Sequence, residues 1–321
     1  MEYQVSTCVR LAIVSRLFAI ILATLFLALP VSASAYLYWD VSEGVTRANL
    51  NGSEMTTGFI QKGSGGSIGL AISDGYIYFS GYGGVIGRAR LNGSDIDPNL
   101  VTLPQPVPEN PSDQTERTER NASSLAVAGA YIYWASDIGG IGRAKAGGGG
   151  VEPYFIKLEA PAEGGGPAVD AGHIYWASEH AVGRANLDGS DVEPDFLPLV
   201  GTHLNGIAVG DGHIYWTARE THDIGRADLD GRHVNPRFIT ALGFARGPAV
   251  GGGYIYWHAE ETLTRGRRLW IARANLNGGD VRNTLINITR YGTGQLAADA
   301  LGPGGDNRST HRNRVVRRRA G

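Results

Sequence analysis

One short phrase occurs six times along the chain at nearly constant intervals. It consists of an aromatic residue or histidine, an aliphatic residue, tyrosine, and then tryptophan or phenylalanine. The copies end at Trp39, Phe79, Trp134, Trp176, Trp216 and Trp257, which are 40, 55, 42, 40 and 41 positions apart. A period near 40 residues made of short strands is typical of folds in which each repeat buries its faces against its neighbours. The sequence therefore predicts an all-β, six-bladed β-propeller with four antiparallel strands per blade.

Each repeat contains further strand signals around the aromatic phrase. A run of small apolar residues precedes it, as at positions 206–209, and is assigned to the innermost strand. An aliphatic residue, one further residue and Arg-Ala follow it, as at positions 182–185, and form the third strand. Asn-Gly, Asp-Gly or Gly-Gly comes next, which predicts a two-residue hairpin turn before the outer strand. The arginine recurs in every blade, which favours a structural hydrogen bond over a ring that binds an anion.

The first repeat lacks an innermost strand, because its aromatic phrase already begins at Tyr36. Residues 295–299, with the sequence Gln-Leu-Ala-Ala-Asp, have the small apolar pattern of that strand and follow the last outer strand. We therefore expect this segment to complete blade 1 and to close the ring.

The N-terminal segment has the layout of a secretory signal. Arg10 and Arg16 precede an apolar run at positions 17–29, and small residues follow. That run is shorter than the roughly 20 residues of a membrane-spanning helix. Residues 1–35 are therefore predicted to be a signal peptide, cleaved after Ala33 or Ala35, which implies a secreted or cell-envelope protein.

The rest of the chain is predicted to form one propeller domain at positions 36–303 and a basic, disordered tail at positions 304–321. The propeller is net acidic, which argues against nucleic acid as a partner. The tail carries six arginines and one aspartate, and it either binds an anionic envelope surface or is simply solvated. Cys8 is the only cysteine, so the mature chain has no disulfide, no thiolate nucleophile and no cysteine-based zinc site. We expect a monomer.

The composite of aromatic phrase, Arg-Ala and Asp-Gly turn, clearest at positions 173–190, resembles the YWTD repeat, also called the low-density lipoprotein receptor class B repeat. The resemblance covers residues 36 to about 300. It implies a six-bladed propeller that binds proteins, here as a free-standing, secreted, bacterial-like relative. The Thr-Asp pair that follows tryptophan in the family is largely lost, for example at Ala177 and Ser178. Other groups must therefore replace the hydrogen bonds that this aspartate makes between blades, or those bonds are absent.

Candidate chemistry lies on one end of the predicted ring, here called the loop face, where the loops between strands two and three and the links between blades gather. Functional residues of such scaffolds concentrate in these loops. The candidates for catalysis are His180, His222, His258, Glu220 and Glu260. Asp137, Glu179, Asp223 and Glu261 are expected on the same face. Imidazoles and carboxylates can bind a divalent metal or transfer protons. No local spacing motif supports a metal site, so no metal ligand and no cofactor is assigned.

Two segments interrupt the regular repeat. Residues 258–269 lengthen the sixth blade and carry Arg265, Arg267 and Arg268, with Trp270 directly after them. This segment is either a basic loop that grips an anionic or glycan ligand, or an extended hairpin. The second segment, at positions 104–123, is rich in proline and charge and is predicted to be a surface loop.

The sequence favours a binding module whose unknown protein or glycan ligand lies on the loop face of blades 3 to 6, and it leaves enzyme activity undecided. The first alternative is a metal-assisted propeller lyase or lactonase. The second is a structural cell-envelope protein attached through the basic tail.

Overall fold

A computed structural model describes residues 35–41, 44–61, 67–105, 121–136, 139–158, 165–200, 202–289 and 295–299. The predicted signal peptide up to residue 34, residues 106–120 of the segment at 104–123, and the predicted tail lie outside these residues. Within the described part, no helix is long and apolar enough to cross a membrane.

The described chain forms six four-stranded antiparallel sheets, which confirms the all-β, six-bladed propeller. Blade 1 contains β1 (Tyr36–Val41), β2 (Gly44–Asn49), β3 (Thr56–Ile60) and β24 (Leu296–Ala298), and blade 2 contains β4 (Ser67–Ser73), β5 (Tyr76–Gly81), β6 (Val85–Arg90) and β7 (Asp97–Thr102). Blade 3 contains β8 (Ala122–Ala128), β9 (Tyr131–Ser136), β10 (Ile141–Lys145) and β11 (Glu152–Ile156), and blade 4 contains β12 (Ala168–Val169), β13 (His173–Ala177), β14 (Ala181–Asn186) and β15 (Glu193–Pro198). Blade 5 contains β16 (Leu204–Gly210), β17 (His213–Ala218), β18 (Ile224–Asp228) and β19 (Asn235–Ile239), and blade 6 contains β20 (Phe244–Gly251), β21 (Tyr254–Thr262), β22 (Arg267–Asn275) and β23 (Arg282–Asn287).

The aromatic phrase forms the second strand of every blade, and both of its faces are buried. In blade 5, Ile214, Tyr215 and Trp216 are completely buried. Successive strand residues point to opposite faces. Accordingly, Trp216 packs in one cluster with Tyr175 of blade 4, whereas Tyr215 packs with Trp257 of blade 6. Burial between two neighbouring blades explains why the phrase is apolar at consecutive positions.

The glycine of the third strand makes room for the tryptophan of the second strand. Gly225 lies opposite Trp216 in the register of blade 5. A Cβ atom on Gly225 would lie 2.1 Å from Cε2 of the indole ring. Gly142 and Gly183 face Trp134 and Trp176 in the same way, each at 2.2 Å. The glycine is therefore a packing requirement of these blades, since at all three positions the backbone conformation is one that any residue can adopt.

The ring closes as the sequence predicted. β24 is the innermost strand of blade 1 and pairs with β1, with Leu37 opposite Ala298 and Trp39 opposite Leu296. The N–H of Asp299 also donates a hydrogen bond to the Tyr36 carbonyl at 2.9 Å. Strands from the two ends of the propeller therefore share one sheet.

Gln295, directly before β24, ties this closing strand to blades 2 and 3. Its Oε1 accepts hydrogen bonds from the N–H groups of Leu70 at 2.7 Å and Leu125 at 2.9 Å. Its Nε2 donates to the Leu125 carbonyl at 3.3 Å. The six innermost strands surround a central cavity of about 200 Å³, which Gln295 helps to line. One side chain thus connects three blades at the loop-face end of the channel.

Tyrosine and arginine side chains make hydrogen bonds from one blade to the next. In blade 6, the Tyr256 hydroxyl and Nη1 of Arg273 both donate to the Leu50 carbonyl of blade 1, at 3.2 and 3.1 Å. Nη1 of Arg88 in blade 2 donates to the Ala146 carbonyl of blade 3 at 3.1 Å. The prediction of a structural role for the repeated arginines is confirmed in these blades. These bonds join neighbouring blades, as the aspartate of the YWTD pattern was expected to do.

The turn before the outer strand differs from the predicted two-residue turn. In blade 1, the N–H of Asn49 donates to the Ser53 carbonyl at 2.9 Å, and the N–H of Gly52 donates to the Asn49 carbonyl at 2.8 Å. The loop therefore has three residues, and within it only Gly52 has a positive φ, of 86°. The Asn51 side chain accepts a hydrogen bond from the N–H of Ser53 at 2.9 Å. This bond stabilises the turn, in which Gly52 takes the position with positive φ. The prediction of a two-residue turn was therefore wrong, because the backbone bonds enclose three residues.

Candidate functional site

The predicted catalytic residues do not form one site. His180 and Glu220 belong to a cluster between blades 4 and 5, His222 lies beside blade 6, and His258 and Glu260 lie on β21 within blade 6. Asp137 lies outside the described residues. These three neighbourhoods differ in burial and in charge.

The first neighbourhood, here called the His–Glu cluster, consists of Glu179, His180, His203 and Glu220. Oε1 of Glu179 lies 3.2 Å from Nε2 of His203 and 3.7 Å from Nε2 of His180. The ring centres of the two histidines are 4.8 Å apart. The other ring nitrogen of His203, Nδ1, contacts Oε1 of Glu220. Two imidazoles and a carboxylate therefore converge at the surface, and a second carboxylate supports one of the imidazoles from behind.

Backbone hydrogen bonds hold the members of the cluster in place. His203 directly precedes β16, and its carbonyl accepts from the N–H of Arg219 at 2.8 Å. The N–H of His203 donates to Oε2 of Glu220 at 2.9 Å. Slight burial raises the pKa of Glu220, but the hydrogen bonds from His203 outweigh it and hold that pKa below its ordinary value. In blade 4, the His180 carbonyl accepts from the N–H of Leu199 at 2.7 Å.

The second neighbourhood contains His222 and Asp223 in the turn between β17 and β18. His222 has a positive φ of 61°, and its ring centre lies 4.0 Å from that of Phe244. Asp223 is buried, and its carboxylate accepts a hydrogen bond from Nε of Arg237 at 3.0 Å. The aspartate is thus satisfied by an ion pair inside blade 5, and His222 packs against the first strand of blade 6.

The third neighbourhood is the buried pair His258 and Glu260 on β21. Burial, together with the positive charge of Arg246, lowers the pKa of His258 to about 4. Its Nε2 has no hydrogen-bond partner among the described residues. Glu260 is buried between Arg246 and Arg267, with both ion pairs at 3.6 Å. His258 is therefore a neutral strand residue at pH 7, closed off from solvent.

The buried His258 should make the fold sensitive to mild acid. The unfolded chain takes up a proton near pH 6.5, whereas the folded chain does so only near pH 4. Stability is therefore fully present above about pH 6.5 and falls as the pH drops from there towards 4. Between pH 7 and pH 4.5 this histidine should remove about 2 kcal/mol from the free energy of unfolding. Urea unfolding at both pH values checks this, with His258→Gln as the variant that no longer titrates. Equal losses in the two proteins would contradict the prediction.

The segment with Arg265, Arg267 and Arg268 is an extended hairpin, which was one of the two structures that the sequence left open. β21 and β22 pair over nine positions, from Tyr254 opposite Asn275 to Thr262 opposite Arg267. The three arginines are exposed. Trp270 is half-buried in β22, opposite Ala259 and Asn287. The indole therefore belongs to the hairpin sheet, and the arginines form its tip.

His203 was missing from the sequence prediction. It lies 23 positions after His180 and 17 before Glu220, a spacing with no local pattern. Only the packing of the blade 4 turn against the link to blade 5 brings it into the cluster. The one available signal was its position directly before an innermost strand, which places it on the loop face.

Comparisons with known proteins support the fold. No protein-family model matches the sequence, and no curated protein matches it. The structure is similar to a chain in the crystal structure of a nidogen/laminin complex, with a TM-score of 0.59 and 17% identity, covering 83% of this chain and 98% of that chain. The computationally designed Ika8 protein (TM-score 0.45, 9% identity, 82% and 74% coverage) and BamB from Moraxella catarrhalis (0.42, 8%, 76% and 85%) are too distant to carry an argument. At these identities the likeness shows the fold alone, a six-bladed β-propeller.

Proposed function

We propose that this protein is a binding propeller of the YWTD type, which docks an acidic surface of a partner protein onto the hairpin of blade 6. The observation that carries the proposal is the extension of this hairpin. Its second and third strands have nine residues each, whereas the corresponding strands of the other blades have five or six. Because the other blades keep the regular length, closing the ring does not require the extra residues.

The charge of the tip suits an acidic protein surface. Arg267 and Arg268 are 58% and 59% exposed, and their ion pairs, with Glu260 at 3.6 Å and Glu261 at 3.9 Å, are long. Arg265 has no ion pair within the described part of the chain. Arginine is enriched at protein interfaces because its guanidinium forms two parallel hydrogen bonds with a carboxylate. The Arg268–Glu261 pair is exposed on both sides and contributes little to folding, so Arg268 can exchange partners at low cost. Arg267 also neutralises the buried Glu260, which Arg246 contacts from the other side.

Three further observations are compatible with this role. The similar chain comes from a crystal structure of a complex between two proteins. The repeated phrase, the Arg-Ala segment and the Asp-Gly turn resemble the YWTD repeat, and proteins with that repeat are chiefly protein-binding modules. The apolar run at positions 17–29 is typical of a secretory signal, and we propose that the protein acts outside the cytoplasm.

A capture experiment tests the tip. Residues 36–321 are immobilised and exposed to the extracellular and envelope proteins of the source organism, and retained proteins are quantified. The test variant combines Arg265→Ala and Arg268→Ala and keeps Arg267, because Arg267 neutralises the buried Glu260. The control is Arg232→Ala. It removes an exposed arginine from the turn between β18 and β19 of blade 5, on the side of the propeller opposite the loop face. We expect at least one acidic protein that the parent and the control retain and the test variant loses. Equal capture by all three proteins, or no specific capture, would contradict the proposal.

A further inference from the structure

The His–Glu cluster has the donor set of a zinc site. Nitrogen from imidazole and oxygen from carboxylate are both ordinary zinc ligands. The three ligand atoms of Glu179, His180 and His203 all lie within 4.8 Å of one another. We propose that these three residues bind one Zn²⁺ ion on the loop face, between blades 4 and 5. This zinc site shares no residue with the arginine tip of the blade 6 hairpin (Arg265, Arg267 and Arg268), so it does not depend on the proposed binding function.

Two of the three distances between the ligand atoms fit tetrahedral coordination. With bonds of about 2.1 Å to zinc, neighbouring ligand atoms of a tetrahedron lie about 3.4 Å apart. The carboxylate oxygen of Glu179 is 3.2 Å from Nε2 of His203 and 3.7 Å from Nε2 of His180. The third pair, one nitrogen from each histidine, lies within 4.8 Å, so the two imidazoles must approach each other by up to about 1.4 Å to share one ion.

A second and independent observation is the contact behind His203. A histidine that ligates zinc almost always donates its other ring N–H to a carboxylate or a carbonyl, which fixes the tautomer and the ring orientation. Nδ1 of His203 contacts Glu220, whose other oxygen accepts the N–H of His203 at 2.9 Å. With the proton on Nδ1, Nε2 carries the lone pair that can bind a metal, and it lies 3.2 Å from Oε1 of Glu179.

The scaffold holds the ligands without the ion. Glu179 and His180 form the turn between β13 and β14, where the Ser178 backbone N–H donates to the Ala181 carbonyl at 2.9 Å. His203 is fixed by the backbone of Arg219 and by Glu220.

Three protein ligands leave the fourth coordination position of zinc to water, which is the arrangement found in catalytic zinc sites. A metal-assisted activity of this propeller would use this site and not the buried His258.

The test is a zinc titration of tag-free residues 36–321 by calorimetry, after treatment with EDTA. We expect one Zn²⁺ per chain. Glu220→Gln should weaken binding about 10- to 100-fold, because it removes the supporting carboxylate and leaves the ligands in place. His180→Ala and His203→Ala should weaken binding further, and the visible absorption of a tetrahedral Co²⁺ complex should disappear with them.

His233→Ala is the matched control, because His233 is another exposed histidine with a carboxylate partner, Asp228, at 2.6 Å. This variant should bind zinc like the parent. Thermal melts in EDTA show whether each variant is folded. If the parent takes up no zinc, or if His233→Ala weakens binding as much as His203→Ala, the proposal is overturned.

Discussion

A chain that ends after residue 293 should not form a stable propeller, whereas a chain that ends after residue 303 should unfold like the full-length protein. The shorter chain lacks β24, which forms the inner edge of blade 1, and exposes the backbone of β1. It also loses the buried side chain of Leu296 and the three hydrogen bonds of Gln295. Burial of a leucine contributes about 1.5–3 kcal/mol, and each hydrogen bond contributes about 1 kcal/mol.

Together these losses are comparable with the 5–15 kcal/mol that stabilises a typical protein. Circular dichroism melts and size-exclusion chromatography of chains that begin at residue 36 provide the measurement. Gln295→Ala gives a graded version of the same test, because it keeps the strand and removes only the links to blades 2 and 3. We expect it to cost about 2–4 kcal/mol, since it leaves two backbone N–H groups without their acceptor. A chain ending at 293 that melts close to the full-length protein would contradict ring closure by β24.

Gly225→Val should be the most damaging single substitution of a repeat glycine. The new Cβ would lie 2.1 Å from the indole of Trp216, which is completely buried. Overpacking of a core typically costs 1–3 kcal/mol and occasionally more, and we expect about 3 kcal/mol here. For a chain of this size that corresponds to a melting temperature about 5 °C lower.

Gly147→Ala is the control for this substitution. A Cβ at Gly147 meets no atom within 4 Å, and the residue is exposed in a turn. Its effect should stay within about 0.5 kcal/mol. Equal melting temperatures for Gly225→Val and the parent would show that the Trp216 ring can swing aside. The difference in melting temperature between the two variants thus measures the cost of the clash with Trp216 beyond that of replacing an exposed glycine.

Most of the fold could be predicted because the repeat is local. The aromatic phrase, the arginine and the turn residues recur in each blade, and each is explained by contacts within a blade or with the next one. Ring closure could also be predicted, since an innermost strand was missing at Tyr36 and a matching segment existed at residue 295. The predicted turn length was wrong because Asn-Gly occupies the last two positions of a three-residue loop, and blade 3 forms the same loop with Gly147 in place of Asn51.

The candidate site was less predictable because it depends on contacts between blades. The sequence placed His180 and Glu220 on the correct face, but it could not show that the link to blade 5 brings His203 between them. His258 was assigned to a loop, whereas β21 continues to Thr262 and buries it. The repeat defines where a blade begins and ends, but not how far an irregular hairpin extends its strands.

The pairing of β24 with β1 also places both ends of the described propeller on one side. β1 starts at Tyr36 and runs towards the loop face, and Asp299 is bonded to Tyr36 at the start of that strand. Both ends of the described propeller therefore leave from the side opposite the loop face. An attachment close to Tyr36 or Asp299 would turn that side towards the support. The arginine tip and the His–Glu cluster would then point outward, towards whatever approaches.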